Sequence, residues 1–263
     1  MKILIMGKGG SGKSTVATLL AQDLLDKGYR VLVIDTDESN YGLAAQLGVE
    51  PPVELMNHLG GKKALGDKMR AAFSKGDKEP FKRRALFEES WSIDQVPTEC
   101  ISSKGALHLM QIGKMKHFGE GCACPMGGLS REFIERLRLG PKDIAIIDTE
   151  AGVEHLGRGV EKGVDIILAV LDPSYESLLL SGKMNEMARE AGKTVNFILN
   201  KVDDGDAELM IKKLPKGHVV AVFPWDRDVE RKGLNGEPLT SSVPGLSDLT
   251  DFVLNETNAK VRQ

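Results

Sequence analysis

Residues Gly7-Lys8-Gly9-Gly10-Ser11-Gly12-Lys13-Ser14 fit the pattern G-x-x-x-x-G-K-[ST], and their neighbours restrict what the chain can become. The apolar run Ile3-Leu4-Ile5-Met6 precedes them and the helical stretch Ser14 to Leu25 follows, so the motif reads as strand, tight loop, helix. Glycines let the backbone curl until successive N–H groups face one anion, and the helix N-terminus adds partial positive charge. Lys13 is placed to reach β- and γ-phosphates and Ser14 to hold Mg²⁺. Gly9, Gly10, Ser11, Gly12, Lys13, Ser14 and Thr15 are therefore the candidate nucleotide contacts.

Beyond the loop, short apolar runs alternate with longer amphipathic ones. Strands are expected at Lys2 to Met6, Val31 to Asp35, Leu107 to Ile112, Asp143 to Asp148, Ile166 to Leu171, Val195 to Leu199 and Val219 to Phe223. Helices are expected at Ser14 to Lys27, Leu129 to Arg138, Glu176 to Ala191, Ala207 to Leu214 and Leu246 to Glu256. Several strands are continuously apolar, as in strands covered on both faces. The expected fold is α/β: a doubly wound, mostly parallel sheet of seven or eight strands with helices on both faces. Its ligand would sit at the carboxyl ends of the strands.

At 263 residues the whole chain, 1–263, suits one such domain. From Gly60 to Arg84 lysine and arginine far outnumber acids, which reads as a basic surface insertion. A formal net charge of −3 gives no global drive toward nucleic acid or anionic membrane. No apolar run approaches the roughly 20 residues needed to cross a bilayer. Met1 to Met6 reads as a core strand instead of a secretory signal, and a cytoplasmic location is expected. Three cysteines in so long a chain make no disulfide framework; Cys100 reads as structural.

The second strand ends in Asp35-Thr36-Asp37, where a carboxylate can orient water toward a γ-phosphate, touch the Mg²⁺ shell, or cap a helix at Ser39 to Leu47. Ile144-Ala145-Ile146-Ile147-Asp148 is four apolar residues closed by aspartate, the arrangement in which Asp148 would hold magnesium. Gly152 would then free the following switch, and Glu150 would face a partner. Asn200-Lys201-Val202-Asp203 resembles an N-K-x-D base-reading motif, since an asparagine amide both donates to and accepts from a purine edge. Asp203 keeps GTP open beside ATP. Pro224-Trp225-Asp226 would close the other side of the base. His108 and His117 have no partner at ligand spacing; His155 reads as switch-loop packing, with a metal or partner contact as the alternative.

Cys122 and Cys124 stand one residue apart among glycines. Two thiolates leave a four-coordinate ion half satisfied, and a symmetric dimer would supply four.

Lys8, just after the first glycine, makes the loop resemble the deviant phosphate loop of the ATPases that include the nitrogenase iron protein, MinD, ParA and CooC. That resemblance implies that Lys8 crosses a dimer interface to the partner's ATP, that Asp37 lies in switch I and is needed for hydrolysis, and that Asn200 reads adenine. The family often continues D-x-D with proline, where this chain has Glu38-Ser39-Asn40. With Gly121-Cys122-Ala123-Cys124-Pro125 and Asp148-Thr149-Glu150-Ala151-Gly152-Val153-Glu154-His155-Leu156-Gly157-Arg158, the chain looks like the CooC family from Met1 to about Gly245. CooC proteins are nickel-insertion ATPases that mature carbon monoxide dehydrogenase, with relatives serving acetyl-CoA synthase. The resemblance implies a homodimer that hydrolyses ATP and handles Ni²⁺ for such a client. Zn²⁺ suits the same thiolates, and four cysteines also permit a [4Fe–4S] cluster. The alternative is a ParA- or MinD-like switch that binds DNA, membrane or a scaffold. A membrane version would want a basic amphipathic tail. The apolar face Leu246, Leu249, Phe252, Val253 is backed by Asp248 and Asp251, so packing onto the domain is expected.

Overall fold

Successive side chains of a strand point to opposite faces, and the first strand shows what that does here. Ile3 and Ile5 enter one buried cluster while Leu4 and Met6 enter another. The computed structural model describes residues 1–73, 90–114, 124–151, 160–240 and 243–261. Eight strands lie in one sheet: β1 Lys2–Gly7, β2 Arg30–Asp35, β3 Ser102–Lys104, β4 Leu107–Gln111, β5 Asp143–Asp148, β6 Ile166–Leu171, β7 Val195–Val202 and β8 Val219–Pro224. Their order is β3-β4-β2-β5-β1-β6-β7-β8, parallel throughout except for the β3–β4 pair.

Nine α-helices are described: α1 Lys13–Asp26, α2 Leu43–Leu47, α3 Leu55–His58, α4 Gly61–Phe73, α5 Cys124–Arg136, α6 Tyr175–Glu190, α7 Asp204–Lys213, α8 Arg227–Asn235 and α9 Leu246–Val261. Val16, Leu20 and Leu24 of α1 share one core with Leu249 and Val253 of α9 and with Ile3, Ile5, Val31 and Val33 of the sheet. The other core joins Leu129 and Phe133 of α5, Met184 of α6 and Met210 of α7 to Leu4, Met6, Leu32 and Ile34. Helices thus cover both faces, as the continuous apolar strands require.

Leu249 and Val253 are fully buried, so the apolar face of the last helix is spent on the domain. Among the described residues no helix is long and apolar enough to cross a membrane. Part of the basic stretch forms α4, whose Leu65 is buried in the second core; residues 74–84 lie outside the described residues. The strand β3 and the helices α3, α4 and α8 were absent from the sequence reading. The helix expected from Ser39 begins at Leu43, with Gly42 as its N-cap.

The central position of β1 matters most. It pairs with β5 on one side and β6 on the other, so the loop after Gly7 opens between the ends of both. At Gly7 a Cβ would lie 2.4 Å from the Val170 carbonyl oxygen of β6, which leaves room only for glycine.

Candidate functional site

The loop leaves β1 and enters α1 through Gly12, whose φ of +97° lies in the left-handed region. A Cβ there would also stand 2.2 Å from Asn200 Nδ2. That amide donates to the Ser11 carbonyl at 2.7 Å, and Lys201 Nζ donates to the Gly10 carbonyl at 2.9 Å. The end of β7 therefore braces the loop from outside. Lys13, almost fully buried, donates from Nζ to the Lys8 carbonyl at 3.3 Å.

Ser14 and Asp148 come together as the sequence reading expects. Ser14 Oγ donates to Asp148 Oδ2 at 2.5 Å. The other carboxylate oxygen, Asp148 Oδ1, is buried without a hydrogen-bond partner among the described residues. Burial pushes this carboxyl up to about 7, against the pull of the Ser14 hydroxyl. A hydroxyl and a buried, underused carboxylate are hard oxygen donors, and Mg²⁺ fits them.

The turn after β2 is held by a residue that sequence reasoning missed. Lys114 Nζ donates to Asp35 Oδ2 at 2.5 Å, to the Asp37 carbonyl at 2.5 Å and to the Asn40 carbonyl. Both charged side chains are buried, at 2% and 0% exposure, so the pair is a genuine interior ion pair. Burial pushes the Asp35 carboxyl above its ordinary range, and Lys114 and Gln111 oppose that. Asp37 caps no helix: its Oδ1 accepts from Ser39 N at 2.8 Å and Ser39 Oγ at 2.7 Å, forming the turn that follows β2. Asn40, three residues past Asp37, donates from Nδ2 to Ser14 Oγ at 2.8 Å and to Asp148 Oδ2 at 3.2 Å. The signal for Lys114 was its place just past the carboxyl end of β4.

Lys8 is bound within its own chain. Its Nζ lies 2.8 Å from Asp172 Oδ2 and donates to Ser174 Oγ at 3.1 Å, where β6 runs into α6.

Thr15, Asn200, Lys201, Pro224, Trp225 and Asp226 line one cavity of about 170 Å³ between α1 and the ends of β7 and β8. The base-pocket candidates are thus gathered around one space. Two of them carry structural duties as well. One N–H of the Asn200 amide is committed to the loop, and Asp226 is the N-cap of α8 through Asp228 N and Val229 N. Asp203 accepts from Asp206 N at 2.8 Å as the N-cap of α7. Lys201 has a φ of 60°, and its ammonium lies 5.5 Å from the centre of the Trp225 ring.

Cys122 lies outside the described residues, as do Gly152, His117 and His155; Cys124 opens α5, and its side chain lies outside them too. His108 is a core residue, accepting from Arg30 Nε at 3.0 Å with Ser103 Oγ at 2.7 Å on its other ring nitrogen. Burial and the neighbouring Arg30 push its pKa down, which keeps it neutral. His58, Glu99 and Cys100 have donor atoms within 4.8 Å of one another. The His58–Glu99 contact of 2.7 Å is a hydrogen bond, and burial pushes the Cys100 thiol up to about 11. His58 and Glu99 lie exposed beside the buried Cys100.

A family model described as the CobQ/CobB/MinD/ParA nucleotide binding domain matches residues 2–239. The chain is 46% identical to an uncharacterised ATP-binding protein of Methanocaldococcus jannaschii, over 96% of this chain and 99% of that one. It is 31% identical to the carbon monoxide dehydrogenase accessory protein CooC of Rhodospirillum rubrum, over 94% of this chain and 92% of the relative. Among solved structures it resembles MinD of Pyrococcus horikoshii complexed with Mg-ADP, with a TM-score of 0.61, 21% identity, and 90% and 86% of the two chains covered. The MinC:MinD complex of Aquifex aeolicus gives a TM-score of 0.63 at 18% identity, covering 97% and 95%. These structures share the fold. With the loop, the aspartate at the end of β5 and the cavity lined by Asn200 and Trp225 set around the same strand ends, this chain belongs to the CobQ/CobB/MinD/ParA family of nucleotide-binding P-loop proteins.

Proposed function

We propose that this chain is an ATPase that dimerises on ATP and assists nickel insertion into carbon monoxide dehydrogenase or acetyl-CoA synthase. The observation that carries the nucleotide half is the meeting of Ser14 with a buried Asp148 whose second oxygen lacks a partner among the described residues, beside a glycine loop with the lysine Lys13. The nickel half is supported by Cys122 and Cys124 in the sequence and by the likeness to CooC over nearly the whole chain.

In hydrolysis, water attacks the γ-phosphorus and the bond to the bridging oxygen breaks, leaving ADP and phosphate. Lys13 neutralises charge on the β- and γ-phosphates, and Asp37 orients the water. Lys8, released from Asp172, reaches the partner's ATP. Ser14 and Asp148 would hold the magnesium, which when bound offsets phosphate charge. Ni²⁺ is the cargo. Cys122 and Cys124 of two protomers would close around one ion, with Zn²⁺ able to replace it.

A ParA- or MinD-like switch is the second reading, favoured by the fold neighbours. The burial of Leu249 and Val253 weighs against its membrane form, because that helix has no free apolar face of the expected kind. A metal titration of the reduced protein, with and without ATP, tests the nickel reading. One ion per dimer, bound more tightly with ATP and lost in Cys122→Ser, is expected. One ion per monomer, or metal retained by Cys122→Ser, would return the chain to the second reading.

A further inference from the structure

Asn40 donates from its backbone N–H to the Asp37 carbonyl at 3.4 Å and is fixed by three further tethers, each made by a different atom. Its Oδ1 accepts from Gly42 N at 3.0 Å, which closes the turn into α2. Its carbonyl accepts from the buried Lys114 ammonium. Its Nδ2 donates to Ser14 Oγ and Asp148 Oδ2 at 2.8 and 3.2 Å. The first two hold the backbone; the third alone lies on the candidate magnesium ligands.

A carboxamide NH₂ carries partial positive charge and offers two donors to acceptor oxygens. Against Ser14 Oγ and Asp148 Oδ2 it satisfies the same atoms that a hard cation would require. A divalent ion reaching those atoms must take the place of the amide, because ion and amide cannot occupy one point.

We propose that the Asn40 carboxamide is a built-in competitor for magnesium, so that loading of the metal–nucleotide complex expels it from Ser14 and Asp148. The proposal rests on the reading of those two residues as the magnesium ligands. Lys114 confines the change. With the carbonyls of Asp37 and Asn40 both held by one ammonium, expulsion swings a side chain and leaves the turn carrying Asp37 in place. The amide then sets a threshold: nucleotide without metal leaves Asn40 where it is, and only the complex with metal displaces it.

The test is binding, read by a fluorescent non-hydrolysable ATP analogue on the full chain, with magnesium varied at fixed analogue. Removing a competitor lowers the magnesium needed for half-saturation. Asn40→Ala is expected to lower it about three- to tenfold, the range for an ordinary intramolecular hydrogen bond. Asn40→Asp keeps an acceptor for Gly42 N but has no donor, and it must lower the requirement too. A raised requirement in Asn40→Ala would make the residue a helper of magnesium, and an unchanged one would make the contact idle; either overturns the proposal. An effect in the alanine variant alone would trace to the lost turn and overturn it as well. Asp148→Asn separates the two readings. If that variant keeps the wild-type magnesium requirement, the ligand assignment itself fails, whereas a loss there with no change at Asn40 defeats only the competitor.

Discussion

The ammonium of Lys8 and the carboxylate of Asp172 are 2.8 Å apart, and the contact ties the phosphate loop to the start of α6 in the same chain. A lysine held this way is withheld from any partner's nucleotide until the pair breaks. Asp172→Asn removes the attraction while keeping a side chain of the same shape. Sedimentation with a non-hydrolysable ATP analogue should show the dimer forming at about two- to fivefold lower analogue concentration, as expected of a partly exposed pair. Lys8→Ala should bind the analogue and stay monomeric. Burial opposes ionisation of Asp172, but hydrogen bonds from Lys8, Ser177 and Ser174 outweigh it and hold the carboxyl below its usual range. The pair therefore persists at pH 4 and contributes less as pH falls further through the native pKa.

Removing Lys114 leaves Asp35 buried and uncompensated. Lys114→Met should cost about 3–5 kcal/mol of unfolding free energy, measured by urea denaturation. Asp35→Asn in the same chain should restore a large part of it, because the orphaned charge is gone. A double variant no more stable than Lys114→Met would show that the lysine's two carbonyl contacts carry the effect instead.

Asp203 caps its own helix and is not among the residues that line the cavity beside Trp225. Asp203→Ala should lower stability by about 1 kcal/mol through the lost N-cap. The preference for ATP over GTP, read by competition against a fluorescent analogue, should not move. A variant that gained GTP binding or lost ATP discrimination would restore Asp203 to the base pocket.

Cys100 is buried, with its thiol pushed up to about 11 from an ordinary value near 9. At pH 8 an aromatic disulfide reagent should leave it untouched until the protein unfolds. The sign of the pH effect follows from a raised acid. Its contribution is complete below about pH 9 and is lost as pH rises toward 11, since the unfolded chain releases this proton first. Thermal melts of wild type and Cys100→Ala should therefore converge over that interval.

The parts legible in the sequence are those in which one residue type has one use. Continuous apolar runs named seven of the eight strands, because a strand covered on both faces has no polar alternative. The missing β3 spans three residues, Ser102–Lys104, too few for any period to show. The phosphate loop and Asp148 were readable because spacing and strand-end position both identify them. Lys114 was not, since a lysine after a strand is nearly always solvated, and only the fold brings Asp35 against it from β2. Asp172 was hidden for a similar reason: its partner lies far back in the chain, across β1 and β6. Asn200 was found, yet its tie to Ser11 could not be read from a motif that speaks only of the base.

That tie reaches beyond the base cavity. One amide lines the space for the base and grips the backbone of the phosphate loop, so the two ends of a nucleotide meet a single stiff fixture. A loop already shaped when its anion arrives has little freedom left to surrender, and rigidity of that kind is a source of affinity without new contacts. Loosening Asn200 would therefore weaken the grip on inorganic phosphates that carry no base at all.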